Sequence, residues 1–135
     1  MPSRRMAREL ALQALFSIEI GHREPAEVLD EYLAPHVESS YRIFVRELVL
    51  GTVEHAKESE ESVSPLLQGW TIERLPTIDR LILRMASYEL RFHKETPGAV
   101  VINEAVELAK KFSTEDSGRY VNGVLSSLSK DYAEA

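Results

Sequence analysis

The stretch Ile78-Asp79-Arg80-Leu81-Ile82-Leu83-Arg84-Met85-Ala86-Ser87-Tyr88-Glu89-Leu90 decides the fold class. Its apolar residues, Ile78, Leu81, Ile82, Leu83, Met85, Ala86 and Leu90, recur at helical spacing and show no sustained alternation of strand type. Little polar face remains, and a helix apolar nearly all round belongs in a core, covered by other elements. The sequence around it supplies those elements as further helices.

Upstream, Thr71 to Pro76 leads into this segment, and Pro65 to Gly69 is a break around a short helical turn. Lys57 to Ser62 is an acidic run, read as a solvated face. Before it, Tyr41, Phe44, Val45, Leu48, Val49 and Val53 form a stripe with Ser39 and Ser40 as candidate N-caps. Gly51 lies inside that stripe, where a close helix crossing is expected. Glu24-Pro25 opens a shorter helix with Pro at its first position, carrying Val28, Leu29, Tyr32 and Leu33, and Pro35 ends it. The first stripe is Leu10, Ala11, Ala14, Leu15 and Ile18, stopped by Gly21. Downstream, Thr96-Pro97-Gly98 is a turn. Val101, Ile102, Ala105, Val106, Leu108, Ala109 and Phe112 follow, and then Tyr120, Val121, Val124, Leu125, Leu128 and Tyr132. Ser113 and Asp116 have capping-box spacing, and Glu115 and Asp116 suit the positive end of a helix. Asn122-Gly123 would mark a hairpin between strands. Inside a helical stripe it is read instead as a glycine that permits tight packing. The expected fold is all-α, a helical bundle of six or seven helices with short connections.

The 135 residues suggest one domain spanning 1–135, with enough chain to bury its own core. There is no cysteine, which excludes disulfides, thiol nucleophiles and cysteine-bound zinc. No apolar run reaches the ~20 residues that span a bilayer. Glu9, Gln13 and Glu19 interrupt the segment after the basic N-terminus where a signal peptide needs an apolar stretch. A cytoplasmic protein with no membrane association is expected. The net charge of −6 argues mildly against nucleic acid, whose phosphates reward Lys and Arg. Its distribution matters more. Residues 1–8 carry Arg4, Arg5 and Arg8 without an acid, whereas residues 24–61 carry ten acids against Arg42, Arg46 and Lys57.

No glycine-rich phosphate loop, dinucleotide fingerprint or nucleophile elbow is present. His22, His36, His55 and His93 have no mutual metal-ligand spacing, and Glu60-Glu61 lie within the charge run. No catalytic residue, metal or cofactor is expected. Binding remains. Unpaired RNA needs cations for its backbone and flat groups for its bases. The first helix offers Arg4, Arg5 and Arg8, reinforced by the positive end of its dipole; the bland reading of the three is a solvated tail. The last helix offers Arg119 beside Tyr120, or, read blandly, a surface arginine beside a core aromatic.

Two consecutive segments resemble the C-terminal signature of the NusB family: Val101-Ile102-Asn103-Glu104-Ala105-Val106-Glu107-Leu108-Ala109-Lys110, and Glu115-Asp116-Ser117-Gly118-Arg119-Tyr120-Val121-Asn122-Gly123-Val124-Leu125. Arg5-Met6-Ala7-Arg8-Glu9 through Gln13-Ala14-Leu15-Phe16 resembles that family's arginine-rich first helix, and Leu83 to Leu90 its central buried helix. The resemblance runs from about residue 4 to residue 128. It implies two packed three-helix sub-bundles and no reaction. It also implies binding of single-stranded boxA-type leader RNA of ribosomal RNA operons, together with the ribosomal protein NusE, in the RNA polymerase antitermination complex. By the same resemblance Arg4, Arg5 and Arg8 match the RNA-binding arginines, while Met6 stands where relatives often carry another. Phe16, an aromatic position often tyrosine, lies near both RNA and partner. Asp116 and Tyr120 match residues near the RNA path, with Arg119 beside them, and Asp79 and Arg84 fall on the partner-facing surface. Two other readings stay open. One is a helical protein-interaction module or homodimer that covers the arginine patch. The other is the NusB-like domain that precedes some RNA cytosine methyltransferases, for which this chain, ending near Tyr132, has no cofactor-binding portion.

Overall fold

In the computed structural model, residues 3–34 and 39–134 are described, and among them the regular structure is helical throughout. They form two compact units, Met1–Glu54 and His55–Ala135.

The first unit holds α1 (Arg4–Gly21), α2 (Pro25–Leu33) and α3 (Ser39–Glu54), with α1 packed on both others. Ser3 caps α1: its hydroxyl accepts the Met6 N–H at 3.1 Å. Of the anticipated stripe, Ala11, Ala14 and Leu15 are buried, whereas Leu10 and Ile18 are only half-buried; Ala7 and Leu12, which were not in it, are buried instead. Gly21 does not end α1 by adopting the left-handed conformation. His22 does so, at φ 50° and ψ 44°, and its N–H reaches the Ile18 carbonyl. Histidine tolerates this region better than most side chains. Gly21 instead gives room to Arg23, whose Cγ lies 3.1 Å from where a Cβ would stand. Arg23 then reaches Ser17 at 3.1 Å and Glu31 at 2.6 Å, joining α1 to α2. Pro25 opens α2 as expected. Pro35, expected to end it, lies outside the described residues. From α3, Arg42 donates to the Leu33 carbonyl at 2.6 Å and so satisfies the last turn of α2.

The second unit holds α4 (Ala56–Val63), α5 (Thr77–Phe92), α6 (Gly98–Phe112) and α7 (Glu115–Glu134), with 3-10 turns at Ser64–Leu66 and Ile72–Arg74. Its three long helices pack pairwise, and short α4 lies on α5. The segment that fixed the fold class is the centre of this unit: Leu81, Ile82, Leu83, Met85, Ala86 and Leu90 are buried, along with Asp79, Ser87 and Glu89. The acidic run 57–62 is not simply solvated. It lies in α4, where Ser59 is buried and Glu60 accepts from Arg84 Nε at 2.7 Å. Gly123 does not serve close packing either, since a Cβ there meets nothing within 4 Å. Gly118 has that role: its Cβ would lie 2.9 Å from Lys110 Cγ and 3.6 Å from Val106, so glycine lets α7 cross α6.

Candidate nucleic-acid interface

Each unit places part of the expected site. In the first unit, the opening turn of α1 carries no acid. Carboxylates favour that end of a helix, and cations there are disfavoured by ~0.3–1 kcal/mol each at the surface. Three arginines nonetheless sit in its first five residues. Arg4 and Arg5 are exposed. Arg4 lies over the Phe44 ring of α3, with its guanidinium carbon 3.9 Å from the ring centre. That contact is a cation–π interaction. Arg8, expected to be exposed, is only 4% exposed, and its guanidinium stands 5.3 Å from the same ring. One helical turn after Arg4, its side chain runs along the α1–α3 contact instead of outward. Met6 is half exposed. Further along α1, Phe16 and Ile20 are exposed at 39% and 55% on one stripe, four residues apart.

In the second unit, the start of α7 is built on a relay of hydroxyls. Thr114, not Ser113, caps the helix: its Oγ1 accepts the Ser117 N–H at 2.9 Å. The helix therefore begins one residue later than the Ser113–Asp116 pattern suggested, and Asp116 is released from capping. Asp116 pairs at the surface with Arg119, three residues on. Ser117, pinned beneath Thr114, donates to Asp79 Oδ2 of α5 at 2.8 Å. The Tyr120 hydroxyl donates to the Leu67 carbonyl at 2.8 Å, and the same carbonyl accepts the Trp70 N–H at 3.2 Å. Burial, and then the negative field of Asp79, push the Tyr120 phenol above its ordinary value, so it stays a neutral donor. Trp70, Leu75, Pro76, Asp79, Ser117 and Tyr120 help line a groove of about 310 Å³.

The structure thus brings Asp79, Asp116 and Tyr120 to one groove, with Arg119 paired beside it. Arg84 is elsewhere in the unit, engaged with Glu60 and largely covered. A model of the NusB family matches residues 5–130. The chain belongs to the NusB family. It is 47% identical to the transcription antitermination protein NusB of Geobacillus kaustophilus, over 91% of this chain and 92% of that protein. Identity to the protein of that name from Symbiobacterium thermophilum is 44%, over 93% of this chain and 88% of the relative. Among solved structures, T. maritima NusB superimposes with a TM-score of 0.91 at 35% identity, covering 97% of this chain and 93% of that one. A chain from the crystal structure of antitermination factors NusB and NusE in complex with dsRNA gives 0.87 at 29%, covering 96% and 97%.

Against this NusB-family frame, sequence reasoning missed four participants: Phe44, Thr114, Ser117 and Trp70. Phe44 read as a core residue because its stripe position fixes its burial but not what lies above its ring. Trp70 did leave a signal. It is the chain's single tryptophan and follows Gln68-Gly69, whose φ values of 47° and 92° turn the chain sharply.

Proposed function

We propose that this chain is a non-catalytic RNA-binding factor of transcription antitermination. It acts in the cytoplasm as one functional domain over residues 1–135. Its ligand is single-stranded boxA-type leader RNA of ribosomal RNA operons, and its partner in the RNA polymerase antitermination complex is the ribosomal protein NusE. The observation that carries this reading is the opening turn of α1. A family member with net charge −6 exposes Arg4 and Arg5 at the positive end of a helix, where an anionic ligand would be favoured. The similarity to transcription antitermination proteins NusB and to the NusB chain of a NusB–NusE–dsRNA complex supports it. No helix among the described residues is long and apolar enough to cross a membrane. Within this reading Arg4 and Arg5 meet phosphates, and Arg8 supports them from beneath. Tyr120, Asp116 and Arg119 face the strand from α7. The Phe16 and Ile20 stripe suits a protein partner, whereas Asp79 and Arg84 are already engaged inside their own unit.

The test is a titration of labelled boxA-type RNA at several salt concentrations, with and without NusE. Two phosphate contacts give a log–log slope of about −1.4 on a single strand. A slope near zero, or equal affinity for scrambled RNA with NusE present, would sink the reading.

A further inference from the structure

Helix α4 is held on α5 in a different way from its neighbours. The longer α6 has fifteen residues and buries Val101, Ala105, Leu108 and Ala109. By contrast, α4 has eight residues and buries only Ser59 and Val63. A helix that short does not persist by itself in water. Its N-terminus has no side-chain cap, and Glu58 and Glu61 lie one turn apart as like charges. Its hold on α5 therefore leans on ion pairs. Arg84 donates to Glu60 through Nε, at 2.7 Å, and through a terminal nitrogen. Arg91 donates to Glu58 Oε2 at 3.1 Å, and His55 Nδ1 lies 3.3 Å from Oε1 of the same carboxylate. With side chains 45% and 52% exposed, the Arg91–Glu58 pair stands in water and is open to screening by salt.

We propose that α4 is a releasable strap. The segment Ala56–Val63 detaches from α5 while α5, α6 and α7 stay packed, and ionic strength sets how often it does so. Little apolar area returns to water when α4 lifts, so the hydrophobic cost of release is small. The ion pairs that oppose release weaken as salt rises. Elements with few buried apolar contacts open locally, ahead of the core they lie on. Release also has a chemical consequence. Arg84 and Arg91 each lose a carboxylate partner, so α5 becomes more cationic where α4 had lain. Glu58 and Glu60 thus act as an internal anion that withholds two guanidinium groups until the strap lifts. Release needs no RNA, and so it is independent of the RNA-binding reading.

Amide hydrogen exchange on the full chain, read segment by segment by mass spectrometry, tests the strap. Between about 0.05 M and about 0.5 M sodium chloride, opening of residues 56–63 is expected to become roughly fivefold more frequent, the size for two screened surface pairs. Exchange in the α5 core, residues 81–85, should change by less than about twofold. Glu58→Gln combined with Glu60→Gln should open the strap at low salt to about its high-salt level and remove most of the salt dependence. Glu61 is an exposed acid on the same helix with no ion pair among the described residues, and Glu61→Gln should leave opening within about twofold. Val63→Ala separates the two forces, because it raises opening by the same factor at every salt concentration. The salt series on the unaltered chain decides the question should the double variant not fold. Strap amides that exchange only together with the α5 core overturn the proposal, as does opening that is indifferent to salt. Exchange at the unprotected rate at every salt concentration overturns it as well, since nothing then holds α4 down.

Discussion

The helices α1 and α7 begin with opposite chemistry. The first turn of α1 is cationic, against the preference of its own dipole, whereas that of α7 carries Glu115 and Asp116, in accord with it. At α7 the local rules agree: Thr114 caps, the acids complement the dipole, and Ser117 ties the turn to Asp79. At α1 the cap is sound but the charge is wrong for stability. Sequences depart from local consistency at functional positions and stabilise them elsewhere. Here the stabilising element is Phe44, which faces Arg4 and Arg8 together. The difference teaches that a helix start can attract an anion or build a shaped groove, and that the identity of its first-turn residues decides which.

Seven substitutions bear on this contrast. The largest effect is expected from Phe44→Ala. It removes a ring that is 4% exposed and should cost about 4 kcal/mol in urea unfolding. Phe44→Leu should retain most of the stability yet weaken RNA binding, because Arg4 loses its π face; an unchanged affinity would break the link between ring and arginine. Next, Arg8→Ala should destabilise the fold by about 1–2 kcal/mol through lost packing and leave the RNA salt slope intact. Arg5→Ala should do the reverse, shifting stability by less than about 0.5 kcal/mol and the slope by about 0.7. If Arg8→Ala also lowers the slope, Arg8 leaves its burial to meet the strand. Thr114→Ala should cost about 1 kcal/mol, and Ser113→Ala clearly less, by thermal or urea unfolding. The smallest effect belongs to Asp116→Ala: with side chains 85% and 73% exposed, the Asp116–Arg119 pair should contribute under about 0.5 kcal/mol.

Tyr120 sharpens the α7 side by pH. Its phenol is raised above the ordinary 10.0 in the folded state, so the folded chain holds that proton more tightly than the unfolded one. Its stabilising contribution is complete below pH 10.0 and declines as pH rises through the folded value. Tyr120→Phe should flatten the alkaline end of the stability profile. An alkaline decline of equal steepness in both proteins would assign it to other groups.

Much of this was legible in the residues. The 3.6-residue spacing in residues 78–90 determined a helix covered on nearly every side, and its neighbours repeated the pattern, so the all-α class followed from periodicity alone. Pro25 marked the start of α2, and Arg4, Arg5 and Arg8 stood out as cations in an acidic chain. Periodicity assigns a face to a side chain but not the neighbour across from it. For that reason Arg8 read as exposed although it lies under the α1–α3 contact, and Glu60 read as solvated although Arg84, twenty-four residues away, receives it. Likewise Gly123 read as a packing residue when Gly118 was the one facing Lys110. The sequence alone determined the long helices, their order and the cationic opening of the first, though not α4, which read as an acidic solvated run. Only the tertiary structure decided which arginine meets solvent, and that Asp79, Ser117, Trp70 and Tyr120 converge on one groove. Those relations link positions up to about fifty residues apart through side-chain directions that no local spacing encodes.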